Sequence, residues 1–374
     1  MEKIFVCGDI CNHTPGVGFI DDSFSKKISS ADYAVCNFEG PELKEGQTAT
    51  CPHQEPGTAE YLKANGFDLM LLANNHITEL DGVGVKYSRE TIRSTGADCI
   101  GAGLSWEEAY KPLIKDIKGK RYGFINVCEA QVGQYLSKEQ PFGYAWMGYD
   151  GLFEDIEKLS KQTDYVIVFV HAGLEHYPIP LPEIKAFYHK ICDTGASAVI
   201  GGHPHAAQGY EYYDNKPIVY SLGNFFFPYT DGRNLSEYTS YSVVLNYEDD
   251  GTVTVTPVHH RLENGKVRLV ENSSEQIDVE ALCKMLENDY EAQADKMCVT
   301  AYRNLCSHLL AEATCGEYEG ISTKRRLKQK LRQVLQHQSY VVATQKRRDA
   351  LMLRLFENET YHWTIVRALK NKNK

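Results

Sequence analysis

The first 200 residues alternate between two kinds of segment, and that alternation limits the fold more than any other feature of the chain. Short apolar, β-branched runs at residues 4–7, 33–36, 68–73, 122–126, 165–170 and 196–200 each run into Gly, Asn, Asp or His. Runs this short, bounded by turn residues, fit strands buried on both faces. Stretches of helical character lie between them, at residues 59–65, 88–95, 151–162 and 182–194. Three of these are followed by glycine, at Gly66, Gly96 and Gly195. Glycine just past the last helical residue is the usual stop signal, because it enters the left-handed region without a Cβ penalty. Strand–helix–strand alternation predicts an α/β fold with a layered sheet.

After Pro217 the rhythm changes. Runs at 217–222, 241–247 and 251–258 read as consecutive strands, and Asp249-Asp250-Gly251 supplies a hairpin turn between the last two. From about Ser274 the chain turns helical, with Ala281, Met285, Leu286, Leu305 and Leu309 at helical spacing. Two regions are therefore expected, 1–273 and a basic helical region 274–374.

Hydrophobic residues make up 43% of the 374 and charged residues 24%, ordinary values for a soluble globular protein. No apolar run approaches the roughly 20 residues of a membrane helix. The N-terminus reads as the start of a strand rather than a signal peptide, so a cytoplasmic location is expected. Eleven cysteines are an odd number and form no Cys-x-x-Cys pair, which favours free, mostly buried thiols.

The net charge of −10 is unevenly spread. Residues 321–374 carry 14 Lys/Arg against 3 Asp/Glu, and the remainder carries 26 against 47. An acidic body does not attract nucleic acid through its bulk surface. The run 324–332, with Leu327 and Leu331 under a basic face, has three readings: a solvated amphipathic helix, a helix docked on the acidic body, or a contact for an anionic membrane surface, polyanion or RNA. The scarcity of aromatics in the run argues against a single-stranded RNA platform.

The chemistry lies where the runs end. The first ends at Asp9, the second at Asn37-Phe38-Glu39, the third at Asn74-Asn75-His76. Later ones end at His171-Ala172-Gly173-Leu174-Glu175 and Gly201-Gly202-His203-Pro204-His205. Ligands of α/β sheets bind at the carboxyl ends of strands, and Asp, Glu, Asn and His are metal-ligating side chains. One polar residue after a strand is turn chemistry; five such ends in order, three with His, point to a metal pocket. Carboxylate, amide and imidazole without thiolate suit Mn, Fe or Zn, one ion or two. His203 and His205, on either side of Pro204 in an extended segment, are expected to point the same way.

The ordered set Gly8-Asp9, Asn37-Phe38-Glu39-Gly40-Pro41, Asn74-Asn75-His76, His171-x-Gly173-x-Glu175, Gly201-x-His203-Pro204-His205 and Ser221-Leu222-Gly223-Asn224-Phe225 resembles the CapA family, named for poly-γ-glutamate capsule synthesis and placed among the calcineurin-like metallophosphatases. Gly101-Ala102-Gly103 and Glu108-Ala109 add to the likeness, which covers residues 3 to 260. The resemblance implies a four-layer α/β/β/α sandwich with a C-terminal helical extension. By the same resemblance, Asp9 and His205 hold one metal, and Asn75, His171 and His203 the other. Glu39 takes the bridging position. His76 serves as general acid or steadies the leaving oxygen, a task suited to an imidazole with a pKa near neutrality. Asn37, Glu175 and Asn224 are candidate substrate contacts.

The wider superfamily opens with Asp-x-His, whereas Asp9 is followed by Ile10 and Cys11. Cys11 and His13 are candidates to replace that His; the alternative is that they are plain loop or strand residues. His53, His176, His189, His259 and His260 are expected to be surface or packing residues. The expected function is a metal-dependent, phosphoesterase-type hydrolase of capsule, poly-γ-glutamate or cell-surface polymer biosynthesis, acting on a small or polymeric anionic substrate. Amide hydrolysis by the same centre and a non-catalytic metal- or anion-binding subunit are the alternatives.

Overall fold

The structure is a computed structural model that describes residues 1–14, 16, 18–228, 238–314 and 345–372. The basic run 324–332 lies outside the described residues. The chain divides into two compact units, Met1–Asn288 and Asp289–Lys374.

In chain order the strands are β1 (Glu2–Ile10), β2 (Tyr33–Phe38), β3 (Leu69–Leu71), β4 (Asp98–Ile100), β5 (Ala102–Gly103), β6 (Leu113–Ile117), β7 (Lys120–Cys128), β8 (Gly143–Tyr144), β9 (Tyr165–His171), β10 (Ala198–Gly202), β11 (Tyr210–Tyr213), β12 (Lys216–Val219), β13 (Asn224–Phe226), β14 (Tyr238–Tyr247), β15 (Val253–Glu263) and β16 (Lys266–Leu269). One sheet runs β16-β15-β14-β1-β2-β3-β4, with β13 paired to β1 beyond that path. Its β1–β4 half is parallel and its β14–β16 half antiparallel. The second sheet runs β11-β12-β10-β9-β7-β6.

Alternation along β1 shows how the layers form. Ile4 and Val6 pack with Phe124, Ile167, Phe169 and Ile200 of the second sheet. Phe5 and Cys7 face the other way, onto Phe24 and Ile28 of the helix Asp22–Ser29 and Leu62 of the helix Thr58–Ala64. Successive strand residues point to opposite faces, so each buried strand serves two cores. The outer face of the second sheet is covered by the helices Leu152–Ser160 and Pro182–Thr194. Leu159 lies so close over Gly123 of β7 that a Cβ there would meet its side chain at 2.6 Å. The first unit is thus an α/β/β/α sandwich.

The expected hairpin at 249–251 joins β14 to β15 in antiparallel register, Tyr247 opposite Val253. The helix expected over 88–95 is longer, Asp81–Ser94. Gly82 and Gly84 hid its first turn because glycine weakens helical patterns. Gly84 is required by packing, since a Cβ there would lie 2.7 Å from the Leu80 side chain and 3.1 Å from Pro41.

The second unit contains the helices Tyr290–Ala301, Ser307–Thr314, Gln345–Glu357 and Glu359–Asn371. Arg367 of the last pairs with Glu291 at 3.1 Å and Asp295 at 3.0 Å on the first. No helix among the described residues is long and apolar enough to cross a membrane.

Candidate metal centre

The carboxyl ends of β1, β2, β3, β9 and β10 meet at one edge of the sandwich and bring the candidate residues together. β1 approaches Gly223 closely beside Asp9: the Asp9 N–H donates to the Gly223 carbonyl at 3.0 Å, and a Cβ on Gly8 would stand 1.8 Å from that oxygen. The β1–β2 register shifts between Val6 and Asp9, and Asp9 then pairs with Asn37 on one side and Asn224 on the other.

Asp9, Glu39, His171 and His203 are all buried. The Asn37 amide nitrogen lies 2.8 Å from Asp9 Oδ1, 3.2 Å from Glu39 Oε2 and 3.3 Å from His171 Nδ1, tying three strand ends together. Asn74 clamps the neighbouring loops. Its Oδ1 accepts from the backbone N–H of Gly40 and His76, at 3.2 and 3.3 Å, and its Nδ2 donates to the Phe38 carbonyl at 2.9 Å.

Two donor groups emerge. On one side, Asn75 Oδ1 is 3.0 Å from His171 Nε2, which is 3.1 Å from His203 Nδ1. With metal–ligand bonds of about 2.1 Å, ligands of one cation sit roughly 3.0–3.4 Å apart, so these contacts match one coordination sphere. On the other side, one ligand atom each from Asp9, Glu39 and His171 lie within 4.8 Å of one another, and these three residues could hold a metal ion. His205 flanks this group, its Nδ1 3.5 Å from Asp9 Oδ2 and its Nε2 3.7 Å from Glu39 Oε1. Glu39 Oε1 is buried without a hydrogen-bond partner among the described residues.

The chain matches the family model described as bacterial capsule synthesis protein PGA_cap over residues 3–229. It belongs to that family. It is similar to the capsule biosynthesis protein CapA of Bacillus anthracis, 29% identical over 68% of this chain and 64% of that one. It is also similar to the PGA biosynthesis protein CapA of Bacillus subtilis, 26% identical over 61% of this chain and 62% of that one. The chain thus spans less than two thirds of the length of either relative. Among solved structures, a hypothetical protein from Thermus thermophilus is 17% identical over 70% of this chain and all of that one, with a TM-score of 0.45. A putative 5'-nucleotidase from Staphylococcus aureus is 14% identical over 76% of this chain and 58% of that one, with a TM-score of 0.46.

Burial sets the electrostatics of this family member's site. It pushes Asp9 and Glu39 upward, Glu39 further because Asp9 stands beside it. It pushes His171 well down, with the neighbouring imidazoles adding to the effect, and His203 down to about 3. Neutral imidazoles offer lone pairs, and the two adjacent buried carboxylates repel one another. Both features fit a divalent cation.

The remaining candidates fall into place around this centre. His76 has Nε2 3.9 Å from Glu39 Oε1 and Nδ1 3.0 Å from Glu79 Oε1. Asn224 Oδ1 is 2.8 Å from His205 Nδ1, so Asn37 and Asn224 both engage side chains of the site itself. Glu175 Oε1 stands 4.0 Å from His203 Nε2, and its side chain is partly exposed. The Cys11 thiol donates to the His53 carbonyl at 3.4 Å and lies 3.5 Å from His13 Nδ1.

The segment around Pro204 is not extended. His203 and His205 take φ values of +91° and +53°. Two left-handed residues around a proline make a tight turn, and the imidazole centroids lie 5.9 Å apart. Strand alternation was therefore the wrong ground for pairing the two rings.

Sequence reasoning missed Glu79, Glu129 and Gln131. Glu79 lies three residues beyond His76, one helical turn of spacing. Glu129 lies just past β7, a strand end like the others that carry the site.

Proposed function

We propose that this chain is a metal-dependent hydrolase acting on a phosphoester in the biosynthesis of capsule, poly-γ-glutamate or a related surface polymer. The observation that carries this reading is the pair of donors, Asn75 Oδ1 and His203 Nδ1, that meet at His171 Nε2 beside the Asp9–Glu39 pair. Asn75, His171 and His203 would hold one cation, and Asp9 and His205 the other, with Glu39 between them. Mn, Fe or Zn held there would supply Lewis-acid polarisation of a phosphoryl group and of water.

The protein's own groups do the rest. Asn37 and Asn74 fix the strand ends, so the carboxylates and imidazoles need no reorganisation. Glu79 orients His76 through Nδ1, and Nε2, 3.2 Å from the Asn75 amide nitrogen, faces the pocket. From there His76 delivers a proton to the leaving oxygen. Glu175, at the rim, is the remaining substrate contact.

A second reading has its own support. The position where the superfamily carries its first-site His holds Cys11, and that thiol is engaged with His53 and His13. On this reading the protein is a non-catalytic subunit that binds an anionic polymer.

The test is hydrolysis of an aryl phosphate by the metal-loaded full chain. Activity lost by about 100-fold or more in His76→Ala and in Asn75→Ala supports the hydrolase. Full biological function in a His203→Ala, His205→Ala double variant would instead establish the binding subunit.

A further inference from the structure

We infer that Gln54 is a positioning residue for the candidate metal centre: its buried side-chain amide ties the backbone of β1 just past Asp9 to that of Glu39, and so sets the spacing of the two carboxylates. This rests on the metal-site reading above.

Gln54 is fully buried. Its Oε1 accepts from the Asn12 N–H at 2.8 Å, and its Nε2 donates to the Ile10 carbonyl at 2.6 Å and to the Glu39 carbonyl at 2.8 Å. These contacts lie where β1 and β2 part. The Ile10 carbonyl also accepts from the Glu39 N–H at 2.9 Å, which carries the β1–β2 pairing one residue past Phe38. Beyond that rung the main chains take other partners. The Cys11 N–H goes to the Phe226 carbonyl at 2.8 Å, and the Gly40 N–H goes to Asn74 Oδ1 at 3.2 Å. The Gln54 amide bridges the two chains at this fork. Its own N–H donates to the Pro41 carbonyl and its carbonyl accepts from the Leu43 N–H, both at 2.9 Å. Gly40, at a φ of +90°, lets the returning chain pass: a Cβ there would stand 2.7 Å from the Pro52 carbonyl oxygen.

The Glu39 side chain has few ties of its own. Its Oε2 receives the Asn37 amide at 3.2 Å, while Oε1 has no hydrogen-bond partner among the described residues. A shift of the Glu39 main chain relative to Ile10 therefore moves that carboxylate relative to Asp9. Ligands held at the right spacing before a cation arrives bind it more tightly, because less ordering remains to be done on binding. A carboxamide supplies both kinds of group this fork requires, two N–H donors for the carbonyls and an oxygen for the N–H. Methionine fills a similar volume but takes the amide partner away from the Asn12 N–H and the Glu39 carbonyl. A glutamate carboxylate carries acceptors alone and would set an oxygen against two carbonyls.

The experiment measures Mn2+ affinity by competition with a fluorescent chelator in the full-length wild type, Gln54→Met, Glu39→Gln and the double variant. If Gln54 acts by setting the carboxylate spacing, losing it costs affinity only while Glu39 can ligate. Gln54→Met is expected to bind Mn2+ about 10- to 100-fold more weakly than wild type, with an unchanged metal-free circular dichroism spectrum. Added to Glu39→Gln, the same substitution should change affinity by less than about twofold. A loss of the same size in both backgrounds, or equal affinities of wild type and Gln54→Met, overturns the inference. Should Glu39→Gln bind no Mn2+, the electron paramagnetic resonance spectrum of Mn2+ bound to Gln54→Met decides: a spectrum altered from wild type supports the role, and an identical one overturns it. Should Gln54→Met fail to fold, Gln54→Asn, whose amide falls one methylene short, goes through the same cycle with the same outcomes. A wild type that binds no Mn2+ brings down the metal-site reading itself, whereas a binding wild type matched by Gln54→Met brings down only the role of Gln54.

Discussion

His260 couples folding to pH through a group that is not one of the candidate metal ligands. It is fully buried on β15, with Nε2 3.2 Å from the Asn224 carbonyl, Nδ1 3.4 Å from the Ser242 hydroxyl, and its ring against Phe24 and Phe225. Burial pushes its pKa down to about 4. The unfolded chain then takes up a proton near pH 6.5 that the folded chain refuses until about pH 4. The resulting stability is present above pH 6.5 and is lost as pH falls through that window, by about 3 kcal/mol. Urea unfolding of wild type and His260→Gln from pH 7 to pH 4 checks this; the variant's curve is expected to be flatter on the acid side. Glu79 offers a second test. Glu79→Gln should lower turnover of an aryl phosphate by about 10- to 100-fold and leave metal content unchanged, because Glu79 acts through His76 rather than on a cation. At this scale the candidate ligands were legible in the sequence, since Asp9, Glu39, Asn75, His171, His203 and His205 each lie at or just past the end of a strand. Glu129 was not, because a single acidic residue after a strand carries no signal until its neighbours in space are known.

The elements carry a different lesson. Strand–helix alternation fixed which segments form the sheets, because a strand buried on both faces leaves an apolar run in the sequence. Glycine stop signals placed the helix ends well, and Pro182–Thr194 matches its expected span. What escaped was governed by contacts distant in sequence. The first turn of the helix Asp81–Ser94 depends on Gly84 packing against Pro41, and the turn around Pro204 depends on positive φ at two histidines. The close approach of Gly8 in β1 to the Gly223 carbonyl belongs to the same class. Gly8→Ala would force a Cβ onto a carbonyl oxygen, so it should destabilise the protein by about 3 kcal/mol and displace Asp9. Chemical denaturation together with metal titration of that variant checks both effects; wild-type stability would mean that β1 can move without loss of the site.

For the whole molecule, all the candidate site residues fall within Met1–Asn288. A fragment ending at Asn288 should therefore fold and bind metal as the full chain does, which circular dichroism and metal titration would show. Family membership connects the chain to capsule synthesis proteins, whereas hydrolysis is a claim about this site's chemistry. That claim requires a cation between the strand ends. The most direct measurement is the metal content of the purified full-length protein after expression with Mn, Fe and Zn supplied, by inductively coupled plasma mass spectrometry, alongside a His171→Ala, His203→Ala variant. About one to two equivalents per chain are expected in the wild type, with loss of at least one in the variant. Less than about a tenth of an equivalent in the wild type, or equal content in both proteins, would contradict that claim.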